Sequence, residues 1–182
     1  APTTWAHQNP SAADLARYQE HLTQKLGKRP VTVSYVNCTA AVKAQADIIC
    51  TSGNARAVVD SIPESDPILF VPDKHLGGWL NETTGRNMTL WDGACEVHEL
   101  FSIETMLEQK AAHPGCIILA HPECPAAIRN ASDFVLGTAG MLKKVKAAKG
   151  ETFLIATEAN MIYRFEKEAP QNSYVPAPGA SC

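Results

Sequence analysis

The 182 residues carry 16 lysines and arginines against 19 aspartates and glutamates, a formal net charge of −3, with 45% hydrophobic residues, enough for one large or two small domains with a buried core. Neither a basic patch nor an acidic tail is present, which argues against nucleic acid and anionic membrane surfaces as partners and favours small metabolites. No run approaches the roughly 20 apolar residues of a membrane span, and Ala1-Pro2-Thr3-Thr4-Trp5 lacks the charged-then-apolar pattern of a signal peptide, so the cytoplasm is the expected compartment.

In chain order, Ser11 caps a helix whose apolar stripe is Leu15, Tyr18, Leu22 and Leu26, with Asp14 in its first turn and Gly27 past its end. Residues 31–36 read as a strand, 39–46 as a short helix, 48–50 as a strand, 53–62 as a helix and 68–71 as a strand stopped by Pro72. A glycine-containing turn then leads to a fourth strand at 87–91. The remainder repeats the pattern: helix 102–113, strand 116–120, helix 126–131, strand 134–136, helix 139–149, strand 152–156, helix 159–168 and strand 173–175. Apolar strands alternating with helices imply parallel sheets covered on both faces. The expected fold is α/β: two tandem homologous three-layer α/β/α modules, 11–99 and 100–182, each with a small, mostly parallel four-stranded sheet.

The two halves also match in detail. Tyr35-Val36-Asn37-Cys38 and His121-Pro122-Glu123-Cys124 both follow a strand-like run and lie 86 residues apart. Asp47 and Asp133, each opening a short strand, have the same offset, and Cys95 and Cys182 close the two blocks. Cys50 and Cys116 sit inside apolar runs and read as buried thiols, whereas Cys38 and Cys124 read as core or site lining. Cys95 and Cys182 follow small-residue turns outside any apolar run, where a thiolate can reach a metal.

Ligands of open parallel sheets bind beyond the carboxyl ends of the strands. Those ends offer Tyr35 and Asn37, Ser52, Asp73 and Lys74, Cys95, His121 and Glu123, Thr138, Glu158 and Cys182. Ser52, Thr138 and Glu158 taken singly are also ordinary helix-capping types. His121 and Glu123, two residues apart, would point the same way from an extended segment.

The segments Tyr35 to Ala44, Cys50-Thr51-Ser52, Pro72-Asp73-Lys74-His75-Leu76-Gly77, Gly93-Ala94-Cys95-Glu96-Val97-His98, His121-Pro122-Glu123-Cys124-Pro125 and the final Cys182 together resemble quinolinate synthase, over essentially all of residues 15–182. The resemblance implies two of three homologous domains arranged about a pseudo-threefold axis, with a 4Fe-4S cluster held by one cysteine from each domain. It makes Cys95 and Cys182 the second and third ligands, one iron being left open as a Lewis acid. It implies condensation of iminoaspartate with dihydroxyacetone phosphate to quinolinate. Tyr35 and Asn37 would bind substrate, Ser52 and Thr138 would grip carboxylate or phosphate, and His121 would orient substrate. Glu123 would do acid/base work beside the open iron, and His98 would support the ligand loop.

Two departures stand beside the matches. The family's amino-terminal domain and first cluster cysteine have no counterpart in these residues: Pro2-Thr3-Thr4-Trp5 holds no sulfur. The expectation is therefore a fragment that binds the cluster weakly or not at all, is inactive alone and needs that domain as its partner. Leu136-Gly137-Thr138 also replaces the family's usual Gly-Ser-Thr, keeping one hydroxyl. Zinc is the other occupant of a thiolate pair, but no CxxC spacing supports it. The alternative function is a metal-free module binding a phosphorylated or dicarboxylic ligand through strand-end hydroxyls and Lys74. A scaffold role has no supporting motif.

Overall fold

The computed structural model describes residues 10–179. The chain divides into two compact units, Ala1–Ala94 and Cys95–Cys182.

In the first unit, α1 (Ala12–Leu26) starts at Ser11, whose side chain accepts from the Asp14 N–H, and ends at Gly27 in the left-handed conformation, φ 69°. Both ends follow from residue type: a hydroxyl satisfies an orphan donor, and glycine turns the chain without a Cβ penalty. There follow β1 (Val31–Tyr35), α2 (Ala40–Lys43), β2 (Ile48–Cys50), α3 (Ala55–Ser61), β3 (Ile68–Val71), α4 (Lys74–Thr84) and β4 (Thr89–Leu90). All neighbouring strands run parallel, in the order β2-β1-β3-β4. Strand alternation splits the core between two faces. Leu69 and Val71 join Leu15, Leu22, Val42 and Trp91 on one face, while Ile68 and Phe70 join Val59, Leu76 and Leu80 on the other.

The second unit contains α5 (Glu96–Glu99), α6 (Ile103–Ala112), β5 (Ile117–Ala120), α7 (Ala126–Asn130), β6 (Phe134–Val135), α8 (Thr138–Ala147), β7 (Thr152–Ala156), α9 (Asn160–Glu168) and β8 (Ser173–Pro176). Its sheet is again wholly parallel, in the order β6-β5-β7-β8. Ile118 and Leu154 pack with Met106 and Ile128, whereas Leu119, Phe153 and Ile155 pack with Met141, Val145 and Phe165. The architecture is α/β, two four-stranded parallel sheets each flanked by helices, as the alternation of apolar strands implied.

A matched clasp sits at the amino end of each central strand. Asp47 accepts the Thr32 N–H through Oδ2 at 2.8 Å while its own N–H donates to the Thr32 carbonyl at 2.9 Å. Asp133 does the same with Ile118, at 2.7 and 3.0 Å. These bonds fix the edge strands, only three and two residues long, in register.

Three local expectations need correction. The stretch read as a glycine-containing turn is mostly the eleven-residue helix α4. Gly77 and Gly78 depress helix propensity, yet Asp73 caps this helix by accepting the Leu76 N–H at 2.7 Å and Gly85 ends it. Gly77 is required by closeness, since a Cβ there would lie 2.6 Å from Leu90 and 3.1 Å from Phe70. One-turn α5 was read as loop. Leu26, assigned to the buried stripe of α1, is 44% exposed because the helix has reached the edge of the sheet's cover at its last residue.

Candidate functional site

Strand order locates the place to look. In each sheet the chain moves outward on one side of the central strand and then crosses to the other, so the direction reverses between β1 and β3 and between β5 and β7. Loops leaving the carboxyl ends at such a reversal splay apart and leave a crevice. In the second unit those loops carry His121 and Glu123, after β5, and Thr157, after β7.

His121 to Cys124 form a tight turn. The Cys124 N–H donates to the His121 carbonyl at 2.9 Å, the His121 N–H to Ala156 O at 3.0 Å, and the Cys124 thiol to the same Ala156 oxygen at 3.3 Å. Arg129, buried in α7, adds a bond from Nη1 to Cys124 O at 2.8 Å. The turn, rather than strand alternation, brings His121 and Glu123 together. They are 2% and 4% exposed, with His121 Nδ1 3.1 Å from Glu123 Oε2 and 3.3 Å from the Glu123 backbone nitrogen. A bare Nδ1 accepts the backbone N–H, whereas an Nδ1 that carries the proton donates to the carboxylate, so the tautomer decides which partner the ring engages.

The short α5 supplies the opposite wall. His98, 5% exposed, stacks on His121 with ring centroids 5.0 Å apart at 19°, and its Nε2 lies 3.3 Å from Thr157 Oγ1. Cys95 opens α5 and is partly exposed. Cys95 Sγ, a His98 ring nitrogen and a Glu123 carboxylate oxygen lie within 4.8 Å of one another. A thiol, an imidazole and a carboxylate together suit a d-block metal ion. Two of the three also have an outer partner of the kind that orients metal ligands: Thr157 for His98 and His121 for Glu123.

From sequence, His98 supports the ligand loop and Thr157 has no role; in the structure His98 stands close enough to Cys95 and Glu123 to share a metal ion with them, and Thr157 follows β7 directly. The usable signal was the strand end at Ala156, after which Thr157, not Glu158, is the first polar group.

The first unit repeats the turn, with the Cys38 N–H donating to Tyr35 O at 3.1 Å. Tyr35 is buried at the strand end, while Asn37, the counterpart of Glu123, is exposed. Ser52 is half-buried in the turn before α3, where Asn54 holds the capping position. Thr138 is the first residue of α8 rather than its cap, which is Gly137. It borders a cavity of about 350 Å³ shared with Leu142, Lys143, Lys146 and Arg164. Asp73 and Lys74 are accounted for locally, Asp73 as the α4 cap and Lys74 by its Nζ at 3.3 Å from Asp92. Glu158 is half-buried and bonded to Asn160. Cys182 lies outside the described residues.

All five described cysteines are free thiols. Burial pushes the Cys50 thiol up to about 12 and raises Cys38 and Cys116 as well, which makes them inert core thiols, as read for Cys50 and Cys116. Among the described residues no helix is long and apolar enough to cross a membrane.

The family model described as quinolinate synthetase A protein matches residues 10–182. The quinolinate synthase of Microcystis aeruginosa is 40% identical over 172 residues, 94% of this chain and 51% of that protein. That of Chloroherpeton thalassium is 43% identical over 148 residues, 81% of this chain and 46% of the relative. That of Trichormus variabilis is 41% identical over 167 residues, 92% and 49% respectively. The chain thus spans about half the length of the curated relatives it matches. With a family match over nearly every residue and relatives about 40% identical, the chain belongs to the quinolinate synthase family.

Proposed function

We propose that this chain is the second and third of three homologous modules of a quinolinate synthase, which condenses iminoaspartate with dihydroxyacetone phosphate and expels phosphate and water to close the pyridine ring. The observation that carries the reading is the donor set of Cys95, His98 and Glu123, with His121 against the carboxylate. Its chemistry fits one corner of a 4Fe-4S cluster, since thiolate is the usual ligand of such clusters and a carboxylate and imidazole can face an iron that lacks a protein thiolate. Cys95 and Cys182 would hold that cluster together with a third cysteine from the amino-terminal domain of the whole enzyme. When bound, it supplies a Lewis acid that polarises a substrate oxygen.

The rest falls to side chains of this chain. Glu123 accepts and returns protons at substrate carbon and oxygen, with its charge supported by the adjacent imidazole. His121 orients substrate and shares the proton at Nδ1. Tyr35 binds substrate with Asn37, and Ser52 and Thr138 donate hydroxyl hydrogen bonds to carboxylate or phosphate. Burial of His121 and Glu123 keeps water from competing for those protons. The enzyme works in the cytoplasm, and turnover requires the part of the relatives' length that these 182 residues do not span.

The test is anaerobic expression of the full-length relative and of the 182-residue chain, with iron, sulfide and quinolinate measured after reconstitution. The expected result is turnover by the full-length protein only, and its loss when Glu123 is changed to Gln. Turnover by the short chain would remove the claim of inactivity. A colourless chain that still binds a dicarboxylate would favour the metal-free binding module instead.

A further inference from the structure

Helix α5 has only four residues, far below the length at which a helix persists in water. Its carbonyl ladder is thin: Glu99 N–H to Cys95 O at 3.0 Å, then Leu100 to Val97 O and Phe101 to His98 O at 3.4 Å each. No side chain caps its start. Contacts elsewhere in the unit must therefore hold it, and with it Cys95 and His98. One end is held through His98, by Thr157 and by the face of His121. The carboxyl end leads into Leu100, whose backbone a residue of the turn after β8 approaches closely.

That residue is Gly179. After β8 the Ala177 N–H extends the ladder by donating to Ile155 O at 2.9 Å, and the chain then turns at Pro178 and Gly179. Gly179 has φ +97°, and a Cβ there would stand 2.8 Å from Leu100 O and 3.2 Å from Leu100 C. Two independent reasons thus demand glycine: a backbone conformation that L residues rarely adopt, and an approach to backbone atoms that cannot swing aside. Such closeness makes the turn a brace against the carboxyl end of α5.

We infer that Gly179 is a positioning residue for the site: the turn after β8 braces the end of α5 and so fixes Cys95 and His98 relative to Glu123. Its bearing on iron rests on the proposed cluster, whereas the brace itself does not. Gly179→Ala forces the turn off Leu100. Gly150→Ala is the matched control, because Gly150 also has positive φ, +72°, but nothing lies within 4 Å of its Cβ.

The experiment is amide hydrogen exchange on the 182-residue chain, together with iron per chain after anaerobic reconstitution of the full-length enzyme carrying the same substitutions. Gly179→Ala is expected to speed exchange at Glu99, Leu100 and Phe101 by about tenfold relative to β5 and β7 and to lower bound iron. Gly150→Ala is expected to leave both unchanged. Equal effects from the two variants, or unchanged α5 exchange in Gly179→Ala, would overturn the inference. Should Gly179→Ala fail to fold, native-state exchange on the unaltered chain decides: α5 and Ala177 must open together, with one denaturant dependence, and separate opening overturns the brace. If the exchange results hold but the full-length enzyme, with its amino-terminal domain, takes up no iron, the cluster reading fails and the brace stands.

Discussion

The Thr157 hydroxyl, at β7's exit, lies 3.3 Å from His98 Nε2, and its loss is directly measurable. Thr157→Val keeps the shape and removes the buried hydrogen bond, for an expected cost of about 1–3 kcal/mol in chemical denaturation, with Thr157→Ser recovering most of it. Glu168 gives a pH-dependent test. Hydrogen bonds from Arg164 and Lys146 hold its carboxyl below the ordinary 4.5. A depressed carboxylate stabilises the fold fully above its unfolded value, and that contribution disappears as pH falls through the lower folded value. Glu168→Gln should therefore lower the melting temperature slightly at neutral pH and not at strongly acidic pH, the difference shrinking in salt because the group is exposed. At this scale the sequence showed His121, Glu123 and Cys95 as chemical groups but not why they meet. The His121–Cys124 turn and the buried face of α5 depend on contacts with Ala156 and Thr157, more than thirty residues away, which no local spacing encodes.

Helix α4 shows where local propensity misleads. Its paired glycines look like a turn until the two positions are separated by what surrounds them. Gly78 has nothing within 4 Å of a Cβ, so Gly78→Ala should stabilise by about 0.5–1 kcal/mol through helix propensity alone. Gly77 packs on Leu90 and Phe70, and Gly77→Ala should destabilise by about 1–3 kcal/mol through overpacking despite the same propensity gain. Thermal melts of the two variants test this pair, and stabilisation by both would mean that α4 can move off its sheet at no cost. By contrast β3 and β7 were legible almost to the residue, because buried parallel strands are near-continuous apolar runs bounded by polar or turn-forming residues, and β1 and β2 were legible from their β-branched residues. The cap at Ser11 was equally plain, its hydroxyl accepting the Asp14 N–H, whereas Ser102, read as the first helical residue, proves to be the cap of α6.

At the scale of the whole molecule, each sheet draws its strands from one unit, and each unit has apolar clusters on both faces of its sheet made of its own residues. Residues 1–94 and 95–182 expressed separately should each show helical and strand circular dichroism and a cooperative melt; a featureless spectrum from either piece would refute this. The alternation of elements was readable because it recurs, and the shared strand order is the physical counterpart of that recurrence. The Asp47 and Asp133 clasps grip their central strands at the ends opposite to Tyr35 and His121. The chain thereby separates what keeps it folded from what makes it reactive. Exits from the strands are free to carry asparagine or glutamate, tyrosine or histidine, at little risk to the scaffold, so one layout supports different chemistry in each unit.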